Sequence, residues 1–154
     1  MLDDRDRSLL ALLQTDADMP LAAMAERVAL SASACSRRVQ RLREDGYIIR
    51  RVALLDRRRM GVPTTVFALL RSGRHTAAWA DTLREIIRDV PEIVEAHRLT
   101  GNFDYLLKLV LPTAEHYDQV YKRLTDRVEL VGVSAYISME VLKSEPALPT
   151  HFAK

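Results

Sequence analysis

The chain has 154 residues, 48% hydrophobic and 29% charged, with a net charge of +2. That balance excludes disordered and collagen-like classes and suits one domain or two small ones. The single cysteine, Cys35, excludes an internal disulfide and a Cys-x-x-Cys metal or redox site. No apolar run approaches the ~20 residues of a membrane span, and the first residues lack a basic and apolar leader pattern, so the expected location is cytoplasmic.

The first predicted helix covers Asp3 to Gln14, with acids at its start and Leu9, Leu10, Leu12 and Leu13 following. Pro20 suits the first turn of a second helix, along which Leu21, Met24, Ala25 and Val28 recur at helical spacing. Ser31 or Ser33 caps a third, whose buried stripe is Cys35, Val39 and Leu42 and which Gly46 ends. Cys35 lies in an apolar stripe and reads as a small core residue. Residues 47–55 are β-branched and aromatic enough to be a strand or wing.

The charge is unevenly spread. Residues 27 to 59 hold ten arginines, no lysine and three acids, a local +7, whereas residues 61 to 154 carry a local −1. The arginine-rich stretch is either a solvated helix surface or a nucleic-acid face, to which arginine's planar fork is suited. The charged segment 56–61 marks the domain boundary, giving residues 1–60 and 61–154.

From residue 62 the pattern alternates: strand Thr65 to Leu70, helix Thr76 to Asp89, strand Ile93 to Leu99, a Gly101-Asn102 turn, strand Asp104 to Leu111, helix Ala114 to Arg127 and strand Gly132 to Leu142. Trp79, Leu83, Ile86 and Val90 form the buried face of the first of these helices, and Tyr117, Val120, Tyr121, Leu124 and Val128 that of the second. The order βαββαβ predicts an α+β ferredoxin-like domain, whose antiparallel sheet has helices on one face and needs a cover on the other. In the last strand Ser134, Tyr136 and Ser138 alternate with apolar residues, making a mixed side suited to subunit or ligand contact.

The stretch from Leu21 to Val39 has the spacing of a helix-turn-helix, with small Ala22 and Ala25 allowing close crossing. Ser31, Ser33, Ser36, Arg37, Gln40 and Arg41 are the candidate DNA-facing residues, of types that reach base edges or phosphates from a major groove. Arg38, beside buried Val39, either grips phosphate or braces the fold. In the turn Thr100-Gly101-Asn102-Phe103-Asp104, backbone N–H groups can hold a carboxylate and Asp104 can meet an ammonium group. The alternative is a plain hairpin turn with Asp104 as its cap. His97 is either a further ligand contact or a strand residue without one.

These residues together carry a resemblance. Leu2-Asp3 with Asp6 and Leu9-Leu10, then Leu30-Ser31 through Cys35, Arg38-Val39, Leu42, Gly46 and Ile48, and finally Thr100 to Leu107, resemble the Lrp/AsnC regulators over almost the whole chain. The resemblance implies a winged helix-turn-helix followed by a ferredoxin-like effector-binding and oligomerisation domain. It implies dimers assembling to tetramers or octamers, and control of transcription by an amino acid bound against Thr100 to Asp104 with Ser134, Tyr136 and Ser138 contributing. No cofactor or metal is expected. Two departures stand out: Gly101-Asn102-Phe103-Asp104 replaces the common Gly-Asp-Tyr-Asp, and Ile49-Arg50-Arg51 makes the wing more basic. Siroheme decarboxylases share the resemblance, and His97 with Arg98 keeps an enzyme as an alternative; an effector-free architectural DNA-binding protein is another.

Overall fold

The computed structural model describes residues 1–74 and 76–153. The chain forms two compact units, one of residues 1–53 with 143–154 and one of residues 54–142.

Three helices build the first unit: α1 (Asp4–Thr15), α2 (Leu21–Arg27) and α3 (Ala32–Glu44). Asp3 and Asp6 cap α1 reciprocally, each carboxylate accepting the other's backbone N–H at 2.8 and 3.2 Å. Pro20 precedes α2 at the N-cap, where a missing N–H costs nothing. The turn into α3 passes through Ala29 at φ 52°, and the Leu30 N–H closes it on the Ala25 carbonyl at 2.9 Å. Ser31 then caps α3, accepting the Ala34 N–H. Leu9, Leu10, Met24, Ala25, Val28, Cys35, Val39 and Leu42 meet in one core, with Leu2 beside them.

Residues 47–55 form no strand; Ile49, Val52, Leu54 and Leu55 are exposed. β-propensity alone does not make a strand, which needs a ladder partner, and this unit supplies none among the described residues. The C-terminal segment also departs from the expected 1–60 and 61–154 division, because residues 143–154 join the first unit. Gln14 pairs with the Leu148 backbone through both amide atoms at 2.6 and 3.0 Å, Arg7 donates twice to the Ala153 carbonyl, and Ala153 packs on the helical core. Nothing in the hydropathy of residues 143–154 marks these bonds, which are made by side chains of a distant helix.

The second unit has β1 (Thr64–Ser72), α4 (Ala77–Asp89), β2 (Ile93–Arg98), β3 (Tyr105–Leu111), α5 (Tyr117–Thr125) and β4 (Leu130–Ile137). The sheet order is β2-β3-β1-β4, all antiparallel, the ferredoxin-like arrangement. Val66, Ala68, Leu70, Leu107, Leu109 and Leu111 face α4 and α5, where Trp79, Leu83, Ile86, Val120 and Leu124 complete the core. Trp79 satisfies its indole N–H on the Glu129 carbonyl at 3.0 Å. Tyr121 is exposed rather than buried: it lies one residue past Val120, about 100° around the helix from the core-facing line. β4 ends at Ile137, short of the expected Leu142, because Ile137 already pairs with Val66 and β1 has only two residues further back to offer.

Candidate functional site

On α3 the helical period separates two sets of side chains. Cys35, Val39 and Leu42 are buried, while Ser33, Ser36, Arg37 and Gln40 are exposed. Arg37 makes no ion pair among the described residues. The Gln40 amide donates to Glu44 at 2.8 Å, and Ser31 is occupied as the cap, its hydroxyl 3.2 Å from that of Ser33. Beside this face a cleft of about 320 Å³ brings Asp18, Ser36, Gln40, Arg43 and Arg51 together.

Arg38 and Arg41 turn back toward α1 instead. Arg38 Nη1 donates to Asp3 Oδ2 at 2.6 Å and Asp6 Oδ1 at 2.8 Å, and Arg41 Nη2 donates to Asp6 Oδ2 at 2.6 Å. Asp6 is 1% exposed, so its charge is matched by guanidinium groups rather than by water. The Asp6 backbone N–H, followed by the Arg38 guanidinium, holds the Asp3 carboxyl below the ordinary carboxylate range. In the sequence Asp3 and Asp6 read as acids favouring a helix start and as part of the family pattern, with no partner assigned to them. Their partnership had one sequence signal, the three-residue spacing shared by Asp3 with Asp6 and by Arg38 with Arg41.

On the sheet, the face away from the helices carries Phe67, Leu69, Leu106, Lys108, His97, Ser134 and Tyr136. Register places His97 opposite Leu106, Leu106 opposite Leu69, and Leu69 opposite Ser134, one row across all four strands. His97 and Ser134 therefore stand at opposite edges, three strand spacings or roughly 14 Å apart. Tyr136 lies in the next row with Phe67 and Lys108, the last of which pairs with Glu95 at 2.5 Å. Ser138, whose N–H meets the Thr65 carbonyl, is a further two residues on, about 13 Å from Ser134 along extended chain. Arg98 follows His97 on β2, so strand alternation sends the two to opposite faces.

The turn at residues 100–104 is tied to the end of β1. Gly101 takes φ 119°, a conformation that favours glycine. Asp104 Oδ2 accepts the Ser72 N–H at 2.8 Å and the Asp104 N–H meets the Leu70 carbonyl at 2.9 Å. Arg71 donates to the Asn102 carbonyl at 3.0 Å and lies 5.6 Å from the centre of the Phe103 ring. His97 lies just before the turn on β2 and Ser134 shares its row from the far edge of the sheet, whereas Ser138 lies away from the turn toward the other end of β1.

Residues 65–148 match the family model described as the Lrp/AsnC ligand binding domain, and residues 2–49 match winged helix-turn-helix DNA-binding. The chain is 57% identical to the HTH-type transcriptional regulator Zrp of Zymomonas mobilis, over 99% of both chains. It is 45% identical to the glutamate uptake regulatory protein of the same species, over 96% of this chain and 90% of that one. Among solved structures, an AsnC family transcriptional regulator from Agrobacterium tumefaciens superposes at a TM-score of 0.94 and 38% identity, covering 99% of this chain and all of that one. The Neisseria meningitidis regulator NMB0573, solved as a complex with L-Met, superposes at 0.93 and 25% identity over 98% of each chain.

Proposed function

The chain belongs to the Lrp/AsnC family of transcriptional regulators, and on that premise we propose that it reads a specific double-stranded DNA site through α3 and couples this to an amino acid bound at its sheet. The observation that carries the reading is the outward face of α3. Ser33, Ser36, Arg37 and Gln40 are exposed on a helix whose opposite stripe is fully committed to the core. Side chains of these types, in the second helix of a helix-turn-helix, meet base edges in the major groove.

The effector reading rests on the turn at residues 100–104 and the polar residues of β4. Since His97, Ser134 and Ser138 are spread over the open face, a complete site calls for a second copy of the chain, which would also cover the apolar Phe67, Leu69 and Leu106. A dimer, assembling further to a tetramer or octamer in the cytoplasm, meets both needs. A solved relative carries L-methionine and another relative is named for glutamate uptake, so these two amino acids are the first to test.

The experiment has two arms. Arg37→Ala should weaken binding to the selected DNA site by about 1–3 kcal/mol while barely changing binding to scrambled duplex. Calorimetry with L-methionine and L-glutamate should show binding tighter than ~1 mM. Asp104→Asn, which keeps an acceptor for the Ser72 N–H but removes the charge that meets an ammonium, should abolish it. Unchanged DNA discrimination in the first arm, or an unaltered amino-acid response in the second, overturns the corresponding half.

A further inference from the structure

The arginines of α3 are not equivalent. Arg37 projects from the helix without an ion pair among the described residues, but Arg38 and Arg41 are held at 2.6–2.8 Å by the carboxylates of Asp3, the N-cap of α1, and of Asp6 in its first turn, and Arg41 also has Asp45 at 4.0 Å. Two of the ten positive charges between residues 27 and 59 are therefore cancelled by acids outside that stretch. The cancellation is firm because Asp6 is buried: a guanidinium leaving it for a phosphate would strand a carboxylate charge in the core.

Resting on the DNA reading above, we infer that Asp6, with Asp3 beside it, is a specificity-determining residue of the DNA interface: it neutralises Arg38 and Arg41 within the fold and leaves Arg37 to meet a base edge. Phosphate attraction is sequence-independent and scales with the number of free cations, whereas base contacts discriminate. A non-specific complex is held by whatever phosphates the free cations reach, whereas base contacts fix the register of α3 in the specific one, where a cation that does not line up with a phosphate adds nothing. Withdrawing two cations from that pool lowers non-specific affinity more than specific affinity, and the ratio of specific to non-specific binding rises.

The test uses the full-length protein and two duplexes, one selected by the parent from a random-sequence library and its scrambled counterpart, across about 50 to 200 mM salt. D6N and D3N should bind the scrambled duplex more tightly and discriminate less. Their salt dependence should steepen by about 0.9 per guanidinium released, a roughly 3.5-fold effect over that interval. Asn at position 3 remains a good helix cap, so D3N keeps the test usable even if D6N, judged by circular dichroism, does not fold. R41Q should leave the salt slope where it was, since a guanidinium held by Asp6 displaces no counterion from a phosphate. A slope that falls by about one in R41Q identifies a phosphate contact and overturns the inference. So does a D3N or folded D6N protein with the parent's ratio and slope, or one that loses affinity for both duplexes equally, as a purely structural role would require. A parent that does not discriminate the duplexes overturns the DNA reading and this inference with it; a discriminating parent with unresponsive variants overturns the inference alone.

Discussion

In the helical unit the candidate side chains sit on one element, α3, and are sorted by partners on another, α1. In the sheet unit they come from β2, the following turn and β4, and are sorted by register. A site on one helix can be found from a single stretch of sequence, yet its effective charge cannot, because Asp3 and Asp6 lie more than thirty residues away from Arg38 and Arg41. A site on a sheet shows the opposite pattern. Its polar residues are readable from strand alternation, but whether they converge depends on strand order, and here that order puts His97 and Ser134 on opposite edges.

The sharpest way to test the independence of the two regions is through their cores. Leu42 and Leu107 are each fully buried, one in each unit. Leu42→Ala should cost about 2–5 kcal/mol and lower an unfolding transition of the helical unit, while Leu107→Ala does the same for the sheet. Calorimetry that finds one transition shifting as a whole in both variants breaks the comparison.

A smaller effect should come from the C-terminal segment that belongs to the helical unit. Gln14→Ala removes both bonds to Leu148 and should cost roughly 1 kcal/mol, since the pair is exposed to water. Proteolysis should cut residues 143–148 faster in this variant, with the sheet unit unaffected. An unchanged cleavage rate removes Gln14 as the tether.

The smallest expected effect is electrostatic and confined to the sheet unit. Burial acts to raise the Glu92 carboxyl, but a backbone N–H, His116 at 3.3 Å and Arg123 at 3.4 Å outweigh it and hold Glu92 below its ordinary value of 4.5. A depressed carboxylate stabilises the fold above its unfolded value, and the contribution is lost as the pH falls through the folded value. The parent should therefore lose stability below about pH 4.5, and Glu92→Gln should lose less over the same range. The difference should stay under about 1 kcal/mol, because Arg123 is half exposed. Identical acid limbs in thermal melts of the two proteins remove Glu92 as the cause.

The sequence by itself determined the three helices, the βαββαβ order, both buried stripes in outline and the outward face of α3. Each depends on the local period of apolar residues and on neighbouring caps such as Asp3, Ser31 and Gly46. Tertiary structure alone decided which arginines of α3 remain free, that residues 143–154 join the helical unit, and that β4 stops at Ile137. It likewise committed an oxygen of Asp104 to the end of β1. Each of these is set by a partner distant in the chain, a buried carboxylate, a glutamine amide, the end of a neighbouring strand or its last backbone N–H, and a pairing of that kind leaves no periodic trace in either partner's own sequence.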